Sequence, residues 1–105
     1  MVNAVIYKKN GEYQGFSFDG HAGFFKSGKD IVCSAVSILA INTVNSIEEF
    51  TDVAVKGEVS DGHLVCDFPE GLDDKGKLLM DSMVLGLGQI QNDYKKNFKL
   101  DVKEV

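Results

Sequence analysis

The sequence predicts an α+β fold: a two-layer sandwich of two helices on a largely antiparallel sheet, in the order ββαββαβ. Three observations carry this. Two pairs of short apolar segments with period-two alternation are each joined by a turn dipeptide, Asn10-Gly11 and Asp61-Gly62. A longer segment with apolar residues at helical spacing follows each pair, and a last short alternating segment follows the second helix. The 105 residues fit one domain, 1–105, without repeat or linker.

Residues 2–9 and 12–19 read as strands around Asn10-Gly11, a dipeptide suited to a type I′ turn. Phe16 and Phe18 alternate with Ser17 and Asp19, as on a half-buried strand, and the pattern stops at Asp19-Gly20. Residues 21–29, HAGFFKSGK, contain two glycines and no periodicity, so a loop is expected there. Its stretch 22–29 is expected to move when empty and to close over a bound peptide. Phe24 and Phe25 either touch an apolar substrate segment or pin the loop to the body.

Asp30 reads as the N-cap of a helix from about Ile31 to Phe50. Val32, Val36, Leu39/Ala40, Thr43/Val44 and Ile47 form a stripe, which Ile38 and Ile41 widen beyond one face. Such a helix is expected to be covered on more than one side, by the sheet and by a second helix or subunit. Residues 53–60 and 63–68 read as a second hairpin, with Val53, Val55 and Val59 alternating on one strand and Leu64, Cys66 and Phe68 on the other. A second helix is expected from about Asp73 to Tyr94, with Leu79, Met83, Leu87, Ile90 and Tyr94 on one stripe. Gly86 and Gly88 in its middle suggest close packing against a neighbour. Phe98, Leu100 and Val102 alternate with charged residues in a final strand.

Composition narrows the function classes. A formal charge of −5 and a pI of about 4.8 leave no basic stripe to displace phosphate counterions, which argues against direct nucleic-acid binding. Two cysteines do not make a disulfide scaffold, and the first residues lack the pattern of a signal peptide. The longest uncharged stretch, Ile31–Ile47, has 17 residues where a membrane span needs about 20. A soluble, cytoplasmic protein is expected. The two histidines and two cysteines lack zinc-site spacing, and no glycine pattern resembles a nucleotide-binding loop, so neither metal nor cofactor is expected.

The chemistry-bearing stretch is Gly20-His21-Ala22, the loop, and then Asp30-Ile31-Val32-Cys33. With Asp30 as N-cap, Cys33 falls in the first helical turn, where free N–H groups and the helix dipole favour thiolate over thiol. An imidazole brought within reach would accept the thiol proton and later protonate a leaving amine. The same free N–H groups suit an oxyanion. The plainer readings are a small core hydrophobe for Cys33 and an ordinary turn residue for His21. Asp30 either caps the helix alone or also orients His21. Ser37, one turn after Cys33, either lines the site or bonds back to its own helix. Cys66 reads as core, and His63 as a solvated turn residue.

GHAGFFKSGKDIVCSAVS, residues 20–37, resembles the signature of the ribosomal-processing cysteine protease family, Prp, and SILAINTVNSIE continues the likeness along the helix. The resemblance implies a His–Cys dyad protease, here His21 and Cys33, working as a homodimer. Gly20, Ala22, Ser34 and Ser37 fall within the matching motif as possible site-lining residues; Ser34 stands where the family more often has alanine. The implied substrate is a precursor of large-subunit ribosomal protein twenty-seven, whose short N-terminal extension is removed. Two other functions compete: a non-catalytic module binding a ribosomal or assembly partner, and a thiol acyltransferase or esterase using the same pair.

Overall fold

The computed structural model describes residues 1–20, 30–60 and 63–105. The expected loop over 21–29 and the expected turn at Asp61-Gly62 lie outside the described residues. The element order is β1 (Val2–Lys9), β2 (Glu12–Asp19), α1 (Asp30–Phe50), β3 (Lys56–Ser60), β4 (His63–Asp67), α2 (Asp74–Asp93) and β5 (Phe98–Glu104). The strands form one sheet in the order β3-β4-β2-β1-β5. Three of its pairings are antiparallel, and β1 with β5 is parallel.

The first hairpin turns as its sequence requires. Asn10 and Gly11 both take positive φ, 52° and 79°, the combination a type I′ turn needs. Between Tyr7 and Lys8 the register slips: Tyr7 pairs with Gly15 and Lys8 with Tyr13. Gln14 is the extra residue of this bulge, and it changes which face of the sheet Tyr13 points to. Tyr13 is therefore buried on the helix side, where its Oη donates a 2.5 Å bond to Asp81 of α2. Burial first, and then the Asp81 carboxylate, push the Tyr13 phenol well above its ordinary pKa. The phenol stays a neutral donor that ties β2 to α2.

Beyond the bulge, Phe16 and Phe18 of β2 face the core. Phe16 and Phe18 are buried with ring centroids 5.5 Å apart in an edge-on arrangement, and Phe16 lies 6.3 Å from Phe68. Val32, Cys33, Val36, Ala40 and Ile47 of α1, with Met80, Met83 and Leu87 of α2, join the same cluster. Apolar area taken from water at this layer is the main stabilising contribution, at roughly 25 cal/mol per Å².

α2 begins where its sequence predicts. Asp73 is the N-cap, and its side chain accepts a 2.7 Å bond from the Gly76 N–H. Tyr94 caps the other end rather than extending the buried stripe, and it is exposed. A Cβ on Gly86 would stand 2.8 Å from Leu39 Cδ2, so this glycine marks close helix packing as expected. Gly88 does not, since a Cβ there meets nothing within 4 Å.

One boundary needs correction. β3 starts at Lys56, not at residue 53. Its partner β4 ends at Asp67, which pairs with Lys56, so the ladder holds no place for residues 53–55. Val53 and Val55, which the alternation assigned to the strand, pack half-buried against the core before β3 begins, and Val59 is 75% exposed. α1 packs on the sheet and against α2, as its wide apolar circumference predicts, and Ile31, Ile38 and Ile41 remain 66%, 68% and 53% exposed. By length and composition alone the Ile31–Phe50 segment is apolar enough to cross a membrane; in this fold its inner stripe belongs to the core.

Candidate active site

Gly20 and Asp30 flank the segment that carries His21. Gly20 follows β2 with φ +97°, in the left-handed region that favours glycine. A Cβ on it would lie 2.4 Å from the Met1 carbonyl oxygen, so the chain can pass here only without a side chain. His21 is the next residue, and its position starts from this constrained glycine. His21, Ala22, Phe24, Phe25 and the expected motion of 22–29 lie outside the described residues, as does the Asp30 side chain and with it the question of cap or orienter.

On the other flank, Asp30 is already the first helical residue, and Cys33 is the fourth, still in the first turn of α1. Backbone N–H groups at such a helix start have no partner within the helix and attract negative charge. Cys33 is a free thiol and fully buried. Ser34 and Ser37 are half-buried on the same first turns.

Cys66 is a different kind of cysteine. It lies within β4, paired opposite Phe16 of β2, and belongs to the core as its alternation with Leu64 and Phe68 predicts. Burial, and then the negative charges of Asp67 and Glu48, push its thiol up to about 12. At neutral pH it is a protonated, inert core group.

One interaction at this end of the sheet escapes a reading of the sequence. His63 is not a free turn residue: it opens β4, sits opposite Asp19, and its Nδ1 bonds to the Asp19 carboxylate. Both side chains are partly exposed, at 40% and 54%. The two Asx-Gly dipeptides place each residue at a strand end, but the β2–β4 register that joins them is a tertiary fact.

Comparison with known proteins gives a consistent result. The family profile described as cysteine protease Prp matches residues 1–99. The ribosomal processing cysteine protease Prp of Bacillus subtilis strain 168 is 31% identical over 111 residues, spanning 95% of this chain and 96% of that protein. The crystal structure of the essential ribosomal processing protease Prp from S. aureus with a substrate peptide has a TM-score of 0.87 and 27% identity, covering 98% of this chain and 100% of that one. The same protein with a covalently linked product peptide gives a TM-score of 0.85 and 28% identity at the same coverage. With a matching fold, a matching profile over nearly its whole length and a thiol in the first turn of α1, this chain belongs to the Prp family of cysteine proteases.

Proposed function

We propose that this protease removes the short N-terminal extension of the precursor of large-subunit ribosomal protein twenty-seven in the cytoplasm, with Cys33 as nucleophile and His21 as general base. The observation that carries the assignment of Cys33 is the contrast between the two cysteines. Cys66 is locked in the sheet with its pKa pushed up to about 12, which leaves Cys33, at a helix start, as the thiol suited to attack. The relatives' ribosomal processing role, and the S. aureus enzyme's substrate and covalent product complexes, support the substrate class.

In this mechanism His21 accepts the Cys33 proton, and the thiolate adds to the scissile carbonyl carbon. The resulting oxyanion is held by free N–H groups of the first α1 turn. Collapse breaks the C–N bond as the imidazolium protonates the departing amine, leaving a thioester on Cys33. Water, deprotonated by His21, then releases the new C-terminus. In this reading Asp30, the first helical residue, supports the start of α1 and does not orient His21.

The exposed Ile31, Ile38 and Ile41 favour a homodimer joined through the outer face of α1. Light scattering at micromolar concentration should give twice the 11.5 kDa chain mass, and Ile38→Lys should return it to one; a parent that is already monomeric refutes the dimer.

The decisive experiment incubates sub-stoichiometric enzyme with the extended ribosomal protein and weighs both fragments. Repeated turnover with a single new N-terminus, abolished by Cys33→Ala and by His21→Ala, supports the proposal. A Cys33→Ala protein that still turns over refutes the nucleophile, and an uncut precursor refutes the substrate. Asp30→Asn should cleave within a few-fold of the parent, since asparagine caps about as well as aspartate. A stable but inactive Asp30→Asn would instead make Asp30 the orienter of His21.

A further inference from the structure

We propose that the Asp19–His63 pair positions the general base: it clamps the end of β2 to β4 and thereby sets where Gly20 delivers His21. The inference rests on reading His21 and Cys33 as the catalytic pair.

The register places this clamp. Phe18 pairs with Leu64 and Ala4 on the buried side of the sheet, so the adjacent Asp19, with His63 and Asn3 as its neighbours, belongs to the opposite, open side. Asp19↔His63 is also the final pair of the β2–β4 ladder, so it is the last tie between these strands before the chain leaves for His21. On the β1 side, Gly20 presses on the Met1 carbonyl, with room for no Cβ. The residue before His21 is thus held from two directions, by the His63–Asp19 bond on one strand and by the Met1 backbone on the other.

The interaction does not depend on the charge of His63, because a neutral ring with its proton on Nδ1 donates to Asp19 equally well. Its partial exposure means that solvent screens it, so it adds little to stability. Catalysis is far more sensitive to position, since displacing a reacting group by about 1 Å costs about a hundredfold in rate. A clamp of this kind should show in turnover and hardly at all in melting.

The test compares His63→Ala, His63→Asn and Asp101→Asn in cleavage of a peptide spanning the ribosomal extension and its junction. Asp101 forms another exposed pair, with Lys99 at 3.9 Å, on the far edge strand, and serves as the control. His63→Ala should lower kcat by about tenfold or more, with KM and melting temperature nearly unchanged. His63→Asn, whose amide nitrogen stands where Nδ1 does and can still donate to Asp19, should recover most of that loss, and Asp101→Asn should match the parent. Parental kcat in His63→Ala overturns the inference. So does a folded His63→Asn as slow as His63→Ala. Should His63→Ala fail to fold, the His63→Asn rate decides alone: near-parental turnover supports the clamp, and tenfold loss in a folded protein refutes it. His21→Ala and Cys33→Ala separate the two claims. If either retains turnover, the catalytic pair itself is wrong; if both are dead and His63→Ala is parental, only the clamp is wrong.

Discussion

Gly20→Ala tests how β2 hands the chain to the segment that carries His21, and Gly11→Ala is its matched control. Both glycines have positive φ, +97° and +79°, so alanine strains the backbone at either site by about 1–2 kcal/mol. Only Gly20 adds a collision. Its Cβ would stand 2.4 Å from the Met1 carbonyl oxygen where ordinary contact begins at 3.4 Å, while a Cβ on Gly11 meets nothing within 4 Å. Relieving that overlap displaces the backbone at residue 20, or Met1, by about 1 Å, the scale at which misplacing a reacting group costs about a hundredfold. Gly11→Ala should therefore lower the melting temperature by about 5–10 °C and leave kcat/KM within about twofold of the parent. Gly20→Ala should melt at least as early and lose about a hundredfold in kcat/KM. Circular dichroism melts and chromatography of the released fragments, on protein held well below its melting point, measure both. A folded Gly20→Ala that cleaves at the parental rate would refute the argument, as would a Gly11→Ala equally impaired.

Cys66→Ala should still cleave, at a cost of about 1 kcal/mol in stability from the lost sulfur packing, whereas Cys33→Ala should fold and not cleave at all; kinetics and denaturant melts on both variants check this. Because the Cys66 thiol is raised from 9.0 to about 12, the fold keeps its full contribution below pH 9 and loses it as pH rises toward 12. Melting temperature measured across that range should fall in the parent and fall less in Cys66→Ala. Asp73→Ala should cost about 1 kcal/mol by removing the α2 cap, and Asp73→Asn should cost almost nothing, read again by thermal melts.

Local chemistry made much of the architecture legible before any coordinates. Asn10-Gly11 defined the first hairpin through the φ values it permits, and the apolar stripe placed α2 to within a residue of its start. Alternation misled at Val53 and Val55 because apolar residues alternate equally well beside a core as within a strand, and only the length of β4 decides where pairing begins. The Gln14 bulge left no sequence signal, so the inward turn of Tyr13 toward Asp81 was invisible. Cys33 lies in the first turn of α1 and Cys66 inside a strand, as their sequence surroundings predict. The bond from His63 to Asp19 was missed because the partner lies 44 residues away in sequence, across a register that no local pattern encodes.

The parallel pairing of β1 with β5 also bears on how the protein is made. Val2 pairs beside Phe98 and Lys8 beside Glu104, so the inner strand that flanks β2 waits for β5, about ninety residues later in the chain, before both its edges are satisfied. The tie continues past the ladder, where the Val105 N–H bonds to the Lys8 carbonyl at 2.7 Å and the Gly11 N–H to Glu104 Oε1 at 3.1 Å. During synthesis the β1–β2 hairpin forms early but shows an unpaired edge until residues 98–104 emerge, which exposes it to mispairing with other nascent chains. Contacts between such distant segments also make folding slow. Emergence of residues 98–104, rather than completion of the helices, thus sets the moment at which this sheet can close.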